Sequence, residues 1–366
     1  MLEISSHLYE VAGRMVAPLL HREYVEQIYI RRSVAAREAE FPWSDLDLGL
    51  VIGRASGADL WRLLRRFRVA KVLFPRMGEC QVATAVELAE MTEMDPYRGS
   101  LDRRFAIVLA GGRPPIPLVP VTPAAAARRL VFWFEHYLPL AMRQGNVRNQ
   151  MKFAREMANA LGVVEGRWAE PLRSRRESPV PEELGGLPPF VQCCVMAERA
   201  QGLLRGPVPR VAEVVRRPGL MLLPEATMAP VEFPASTLVV TPAVLDLLLA
   251  TQSPGLWLSH GAALSELGFA PPPRRAWRDW CYRQVSGERF RLPGFGQSEP
   301  IRQGARLAIA EAIATTLEAG EVPKSVDASP LPPSRDLKLY YLEEYDRLAD
   351  RAAGLRERVR AIAADG

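Results

Sequence analysis

Two spacings of apolar residues run through the first third of the chain, and each predicts its own elements. Val11–Leu20 carries a helical pattern. Gln27–Ile30 is a short β-branched and aromatic run, which predicts a strand. Leu46–Ile52 is a second apolar run, bounded by Ser44–Asp45 and by Gly53. Leu60, Leu63, Leu64 and Phe67 then recur at i, i+3, i+4 and i+7, the mark of an amphipathic helix with Arg62, Arg65, Arg66 and Arg68 on its wet side. Pro75 and Gly78 close that helix. Cys80–Thr84 reads as a third strand and Ala85–Met91 as a short helix. Strands and helices in this order predict an α/β unit over residues 1–118.

Five prolines between 112 and 123 mark a linker. Beyond it, residues 119–330 read as mainly helical, broken by proline-rich loops at Ser178–Pro189, Pro207–Pro218 and Pro271–Pro273. Residues 331–366 form the third segment. There Tyr341, Tyr345, Leu348, Ala352, Leu355, Val359 and Ile362 alternate spacings of four and three, an a/d stripe of about three heptads. Such a stripe serves either a helix packed on its own domain or a homo- or hetero-oligomeric coiled coil through 337–362. The chain as a whole is expected to be of α+β class.

Composition changes this picture little. The 366 residues carry 47 basic and 42 acidic side chains, a net +5 that permits an anionic ligand without demanding one. Four cysteines without a C-x-x-C pair argue against a zinc site or a disulfide framework. The N-terminus lacks a basic start followed by an apolar stretch, and no apolar run reaches the roughly 18 residues of a spanning helix. The expectation is a cytoplasmic protein with no membrane partner.

The chemistry concentrates between Ile28 and Val51. A strand is followed by Arg31, Arg32, Ser33 and a loop, then by Ser44-Asp45-Leu46-Asp47-Leu48 entering the next strand. Residues i and i+2 of a strand share a face, so Asp45 and Asp47 project together. Two carboxylates held that closely repel each other unless a cation lies between them, and a divalent metal with triphosphate oxygens is the usual solution.

This stretch resembles the nucleotidyltransferase superfamily related to DNA polymerase beta. Members show a strand, a Gly-Ser pair, a short loop and then Ser-Asp-x-Asp on the next strand. The resemblance covers about residues 11–110 and implies a small mixed-sheet, palm-like domain. It implies that Asp45 and Asp47 are catalytic and bind Mg²⁺ or Mn²⁺, that Arg32, Ser33 and Ser44 lie along the nucleotide, and that a third carboxylate comes from a later strand. Phe74-Pro-Arg-Met-Gly-Glu-Cys-Gln-Val resembles the Pro-x-x-Gly-Glu-x-Glu strand of larger bacterial relatives, with Glu79 at the first acid and Gln81 at the second. If the metal needs Glu79 the triad is complete. If it needs the Gln81 position, a neutral amide is a poor ligand for a hard dication. The chain departs from the pattern twice more: Arg32 stands at the glycine of the Gly-Ser pair and Arg37 at the second loop glycine.

Two further features bear on function. Arg148, Lys152 and Arg155 form a cationic stripe on a helix whose apolar face is Met151, Ala154, Ala158 and Leu161. The family often binds the triphosphate with a basic residue on such a helix, which points to Lys152 and Arg148. The stretch 274–291 interleaves arginines with Trp277, Trp280 and Tyr282, a pattern that serves either core packing or nucleic-acid contact.

Three functions follow as expectations. The first is metal-dependent transfer of NMP from an NTP such as ATP to an acceptor hydroxyl, with release of pyrophosphate. The acceptor is a small molecule, an RNA end or a protein. The second is a degenerate nucleotidyltransferase fold that binds nucleotide or a partner without turnover. The third is nucleic-acid binding through 274–291.

Overall fold

The computed structural model describes residues 2–39, 44–136, 141, 146–172, 180–202, 215–217, 220–222, 238–240, 254–266, 268–286, 299–323 and 336–362. Its class is α+β, with a four-stranded mixed sheet and a mostly helical remainder. The chain divides into two compact units: residues 1–119 with 278–366, and residues 120–277.

The first unit opens with α1 (Leu2–Leu20), followed by β1 (Val25–Arg31) and a single helical turn, α2 (Arg32–Ala35). Next come β2 (Leu46–Ile52), α3 (Gly57–Leu73) and β3 (Met77–Ala83). Then follow α4 (Ala85–Met94), α5 (Pro96–Phe105) and β4 (Ile107–Ala110). Caps written in the sequence start the helices. Ser56 with Asp59 and Thr84 with Glu87 form capping boxes for α3 and α4. Asp95 caps α5, which begins at Pro96. The sequence pattern missed α5 and β4, because neither carries a clear apolar period.

The strand order is β3-β2-β1-β4. β1 lies antiparallel to both β2 and β4, and β2 lies parallel to β3. The parallel pair needs a crossover, and α3 supplies it. β1 and β2 are consecutive neighbours, in register from Gln27 opposite Val51 to Arg31 opposite Asp47.

Alternation along the strands gives the sheet two unlike faces. Ile28, Ile30, Leu46, Leu48, Leu50, Ile52, Cys80 and Val82 are buried on one, the side of α1 and α3. The other carries Tyr29, Val51 and Ala83, packed with Leu88 of α4 and Ile116, and also Arg31, Asp47 and Gln81.

Residues 278–366 return to this unit, a placement that no local pattern reveals. The first stretch of this unit ends at Val119, and its second begins at Arg278. Leu337–Leu339, a π-helical turn (Tyr340–Glu344) and the helix Tyr345–Ala361 lie against α3 and the helix Glu299–Glu318. The Gly57 N–H donates to Asp346 at 2.8 Å, and the Trp61 ring stacks on Tyr341. A Cβ at Gly57 would collide with the Tyr341 carbonyl, so only glycine admits this approach. Arg351 pairs with Glu311 at 2.6 Å and Arg358 with Glu318 at 2.7 Å. All seven residues of the heptad stripe are buried here. The stripe is satisfied inside the chain, so an oligomer through 337–362 would have to use the outer side of this helix.

In the second unit the helices α6 (Pro123–His136) and Pro189–Gly202 pack on the helix Val147–Val164. That helix buries Phe153, Ala154, Met157, Ala158 and Leu161. Its buried Asn159 exchanges two hydrogen bonds with the Leu172 backbone, at 2.7 and 2.8 Å. Three short strands, Val215–Arg217, Leu220–Leu222 and Leu238–Val240, form a separate small sheet.

Candidate functional site

The site lies where β1 leads into α2 and β2 begins. Asp47 is the second residue of β2, with Asp45 two residues before it. Asp45 is exposed, and Asp47 is nearly buried. Across the β2–β3 pair the register slips by one residue, so that Gly78 and Glu79 together oppose Asp47. Such a bulge re-aims the groups beside it. Here it turns the Glu79 N–H onto Asp47 Oδ1 at 2.9 Å. It also brings Gly78 under both aspartates: a Cβ there would lie 2.5 Å from Asp47 Oδ1 and 2.8 Å from Asp45 Cβ. Asp45, Asp47 and Glu79 therefore gather around one glycine. Position 78 accepts no side chain while they do.

The guanidinium of Arg32 enters this group. Its Nη2 lies 2.7 Å from Glu79 Oε2, and its Nη1 lies 3.7 Å from Asp47 Oδ2. Burial is the largest influence on the Asp47 carboxyl and raises its pKa above the ordinary value. Arg32, the Glu79 N–H and Arg31 act in the opposite direction, while the Glu79 charge adds to the rise.

Arg32 and Arg37 both have φ of 60°, and they are the non-glycine residues with positive φ among those described. An L-residue with a Cβ adopts this left-handed conformation at a cost of roughly 1–2 kcal/mol. These are the two positions where the resembled pattern carries glycine, so the loop takes a glycine-type path with arginine side chains added. Arg37 pairs with Glu10 of α1 at 2.8 Å. Arg14 joins the same carboxylate at 2.8 Å. Burial raises the Glu10 pKa, but its bonds to Arg14 and Arg37 outweigh this, and the net shift is downward. Ser33 lies half-buried in α2, and its carbonyl accepts from the Glu38 N–H at 2.8 Å. Ser44 is buried, with its carbonyl accepting from Tyr9 Oη. Residues 40–43 of the loop lie outside the described residues.

Of the two positions considered for a third acid, Glu79 is the one that reaches the group. Gln81 lies deeper on the same strand, fully buried, with Nε2 3.6 Å from the Met91 sulfur. Its Oε1 is buried without a partner.

Asp45, Asp47 and Glu79 have the oxygen chemistry that Mg²⁺ takes, but their arrangement does not fit the ion. Arg32 already spans Asp47 and Glu79, and among the described residues no group of three His, Cys, Asp or Glu is placed to hold a metal.

The remaining expected residues belong to the second unit and to the basic–aromatic stretch. Arg148 and Lys152 sit exposed on the helix Val147–Val164 of the second unit, with Lys152 Nζ 5.5 Å from the Trp133 ring. In the basic–aromatic stretch, Trp277 is buried and Cys281 donates to the Ala310 carbonyl, so this part of the pattern serves packing. Residues 287–291 lie outside the described residues.

One neighbouring pair escaped the sequence reading. Arg31, buried and opposite Asp47, forms an ion pair with Asp102 of α5. An arginine ending an apolar strand signals that an acid must be near, but nothing local points to position 102. No protein-family model matches the chain, and no curated protein matches it either.

Proposed function

We propose that the first unit is a palm-like, nucleotidyltransferase-type domain that binds a nucleoside triphosphate without transferring its NMP. The observation that carries this reading is the Arg32 guanidinium between Asp47 and Glu79. A guanidinium stays charged and neutralises the two acids, but it has no coordination position to offer an acceptor hydroxyl and no lone pair to accept a proton. It can still form paired hydrogen bonds to phosphate oxygens. With Ser33 beside it on a glycine-type turn, Arg32 is the group most suited to exchange Glu79 for a triphosphate.

A second reading has its own support. Asp45 and Asp47 meet over Gly78, with the Glu79 N–H on Asp47, and metal-dependent transfer of NMP to an acceptor hydroxyl uses acids of this kind. It requires Arg32 to leave the acids.

Incubation with each α-labelled NTP in Mg²⁺ or Mn²⁺, together with RNA, protein and small-molecule extracts, separates the two. The expected result is NTP binding that survives EDTA, weakens about tenfold in Arg32→Gly, and is accompanied by no label transfer. Metal-dependent transfer that disappears in Asp45→Asn/Asp47→Asn would establish the second reading. Absence of both binding and transfer would overturn both.

A further inference from the structure

α1 and α3 rest on the same face of the sheet and run antiparallel. The Tyr9 ring meets Phe74 edge-on, and Arg66 donates to the Leu19 carbonyl at 3.5 Å. Their inner sides fill the aliphatic core. Their outer sides are unusual, because Ile4, Leu8, Val11 and Met15 form an a/d stripe on the solvent side of α1. Val69, Val72 and Leu73 protrude from α3, and the two anchoring contacts place them at the level of Val11 and Met15. These seven side chains are exposed by 43% for Val11 up to 79% for Val72. Exposed apolar side chains gathered in this way mark an interaction surface.

Cations border the patch. Arg65, Arg68, Lys71 and Arg76 are exposed, and none has an ion pair among the described residues. Besides Glu3 at the start of α1, the acids of the two helices are engaged otherwise: Glu10 holds Arg14 and Arg37, and Asp59 holds Arg62.

We infer that this α1–α3 face docks on an anionic lipid surface, with the arginines and Lys71 at the headgroup phosphates and the aliphatic side chains sunk into the acyl boundary. Charge selects this occupant. A two-fold contact with a second copy brings two patches of like charge together. Single-stranded nucleic acid is held by stacking on aromatic side chains, and the protruding residues here are aliphatic. Two helices side by side present two rows of protruding side chains, which a deformable, planar layer accepts. Apolar insertion and electrostatic attraction to anionic lipid add together in such binding. No described helix is long and apolar enough to cross a membrane; resting on its surface is a separate property, and the proposal departs here from the sequence expectation of no membrane partner.

The test is co-sedimentation of the full chain with vesicles of phosphatidylglycerol mixed with phosphatidylcholine, against vesicles of phosphatidylcholine alone. Binding is expected to the anionic vesicles and to fall steeply as salt is raised toward about 0.5 M. Val72→Asp/Leu73→Asp and, independently, Arg65→Glu/Arg68→Glu should each weaken it by about tenfold or more. Both pairs are exposed, and an unchanged thermal melt checks that the variants fold. Equal binding to both vesicle types, or no binding to either, overturns the proposal. So does a concentration-dependent dimer, or binding to RNA or poly-glutamate, that is lost in the same variants while vesicles are ignored.

Discussion

The two faces of the four-stranded sheet are built from the same strands, β1, β2 and β3, yet they solve different problems. Toward α1 and α3 every strand residue is aliphatic or Cys80, and burial alone holds the layers together. Toward α4 and α5 the strands carry Arg31, Asp47 and Gln81, each placed in low-dielectric surroundings with specific partners or none. The first face tolerates any well-packed apolar set. The second depends on the placement of single atoms, and its open end holds the candidate site. Buried polar groups on strands that could have been aliphatic are therefore what sets this face apart.

The contrast can be broken most severely at Asp102. Asp102→Ala removes the carboxylate that pairs with the buried Arg31 guanidinium, and the expected loss is about 3–5 kcal/mol in urea unfolding. Replacing both partners, Arg31→Met with Asp102→Leu, should restore most of it. If the double variant stays as unstable as the single one, the pair is doing more than neutralising itself. On the aliphatic face, Leu50→Ala should cost roughly 3 kcal/mol through lost burial and a cavity, while nucleotide binding per folded molecule is unchanged.

A smaller effect sits at the junction of the two faces, where Glu10 of α1 holds the loop through Arg37. Glu10→Gln should lose about 1–2 kcal/mol at neutral pH. The folded-state pKa of Glu10 is lowered. Its contribution is therefore complete above the ordinary carboxylate range and disappears as pH falls through the lowered value. Stability curves of wild type and variant should converge in acid. Curves that stay parallel would show that the Glu10–Arg37 contact is absent in solution.

The smallest effect belongs to Gln81. Its buried Oε1 lacks a partner, so Gln81→Leu is expected to be neutral or to stabilise by about 1 kcal/mol, with nucleotide binding retained. Clear destabilisation would mean that a water satisfies the amide.

What was readable in the sequence divides along lines of locality. The run Leu46–Ile52 matches β2 residue for residue, and the Leu60–Phe67 period lies within α3. Apolar periodicity and caps act over a few residues, so a sequence window contains their cause. The pairing of Asp45 with Asp47 was equally legible, since it follows from strand alternation. The π-turn at Tyr340–Glu344 and the destination of the heptad stripe were not, because a stripe records that a face will be buried and not against what.

The sequence by itself determined β1, β2, α3 and α4, the acidic pair, and the replacement of two loop glycines by arginine. Only the tertiary structure decided that Glu79 rather than Gln81 joins the pair, through a one-residue slip between β2 and β3. Only the tertiary structure placed the Arg32 guanidinium against those acids, tied Arg31 to Asp102 across 71 residues, and returned residues 278–366 to the first unit. Each of these is a contact between segments remote in sequence, favoured only once the sheet has formed and removed the alternatives from water.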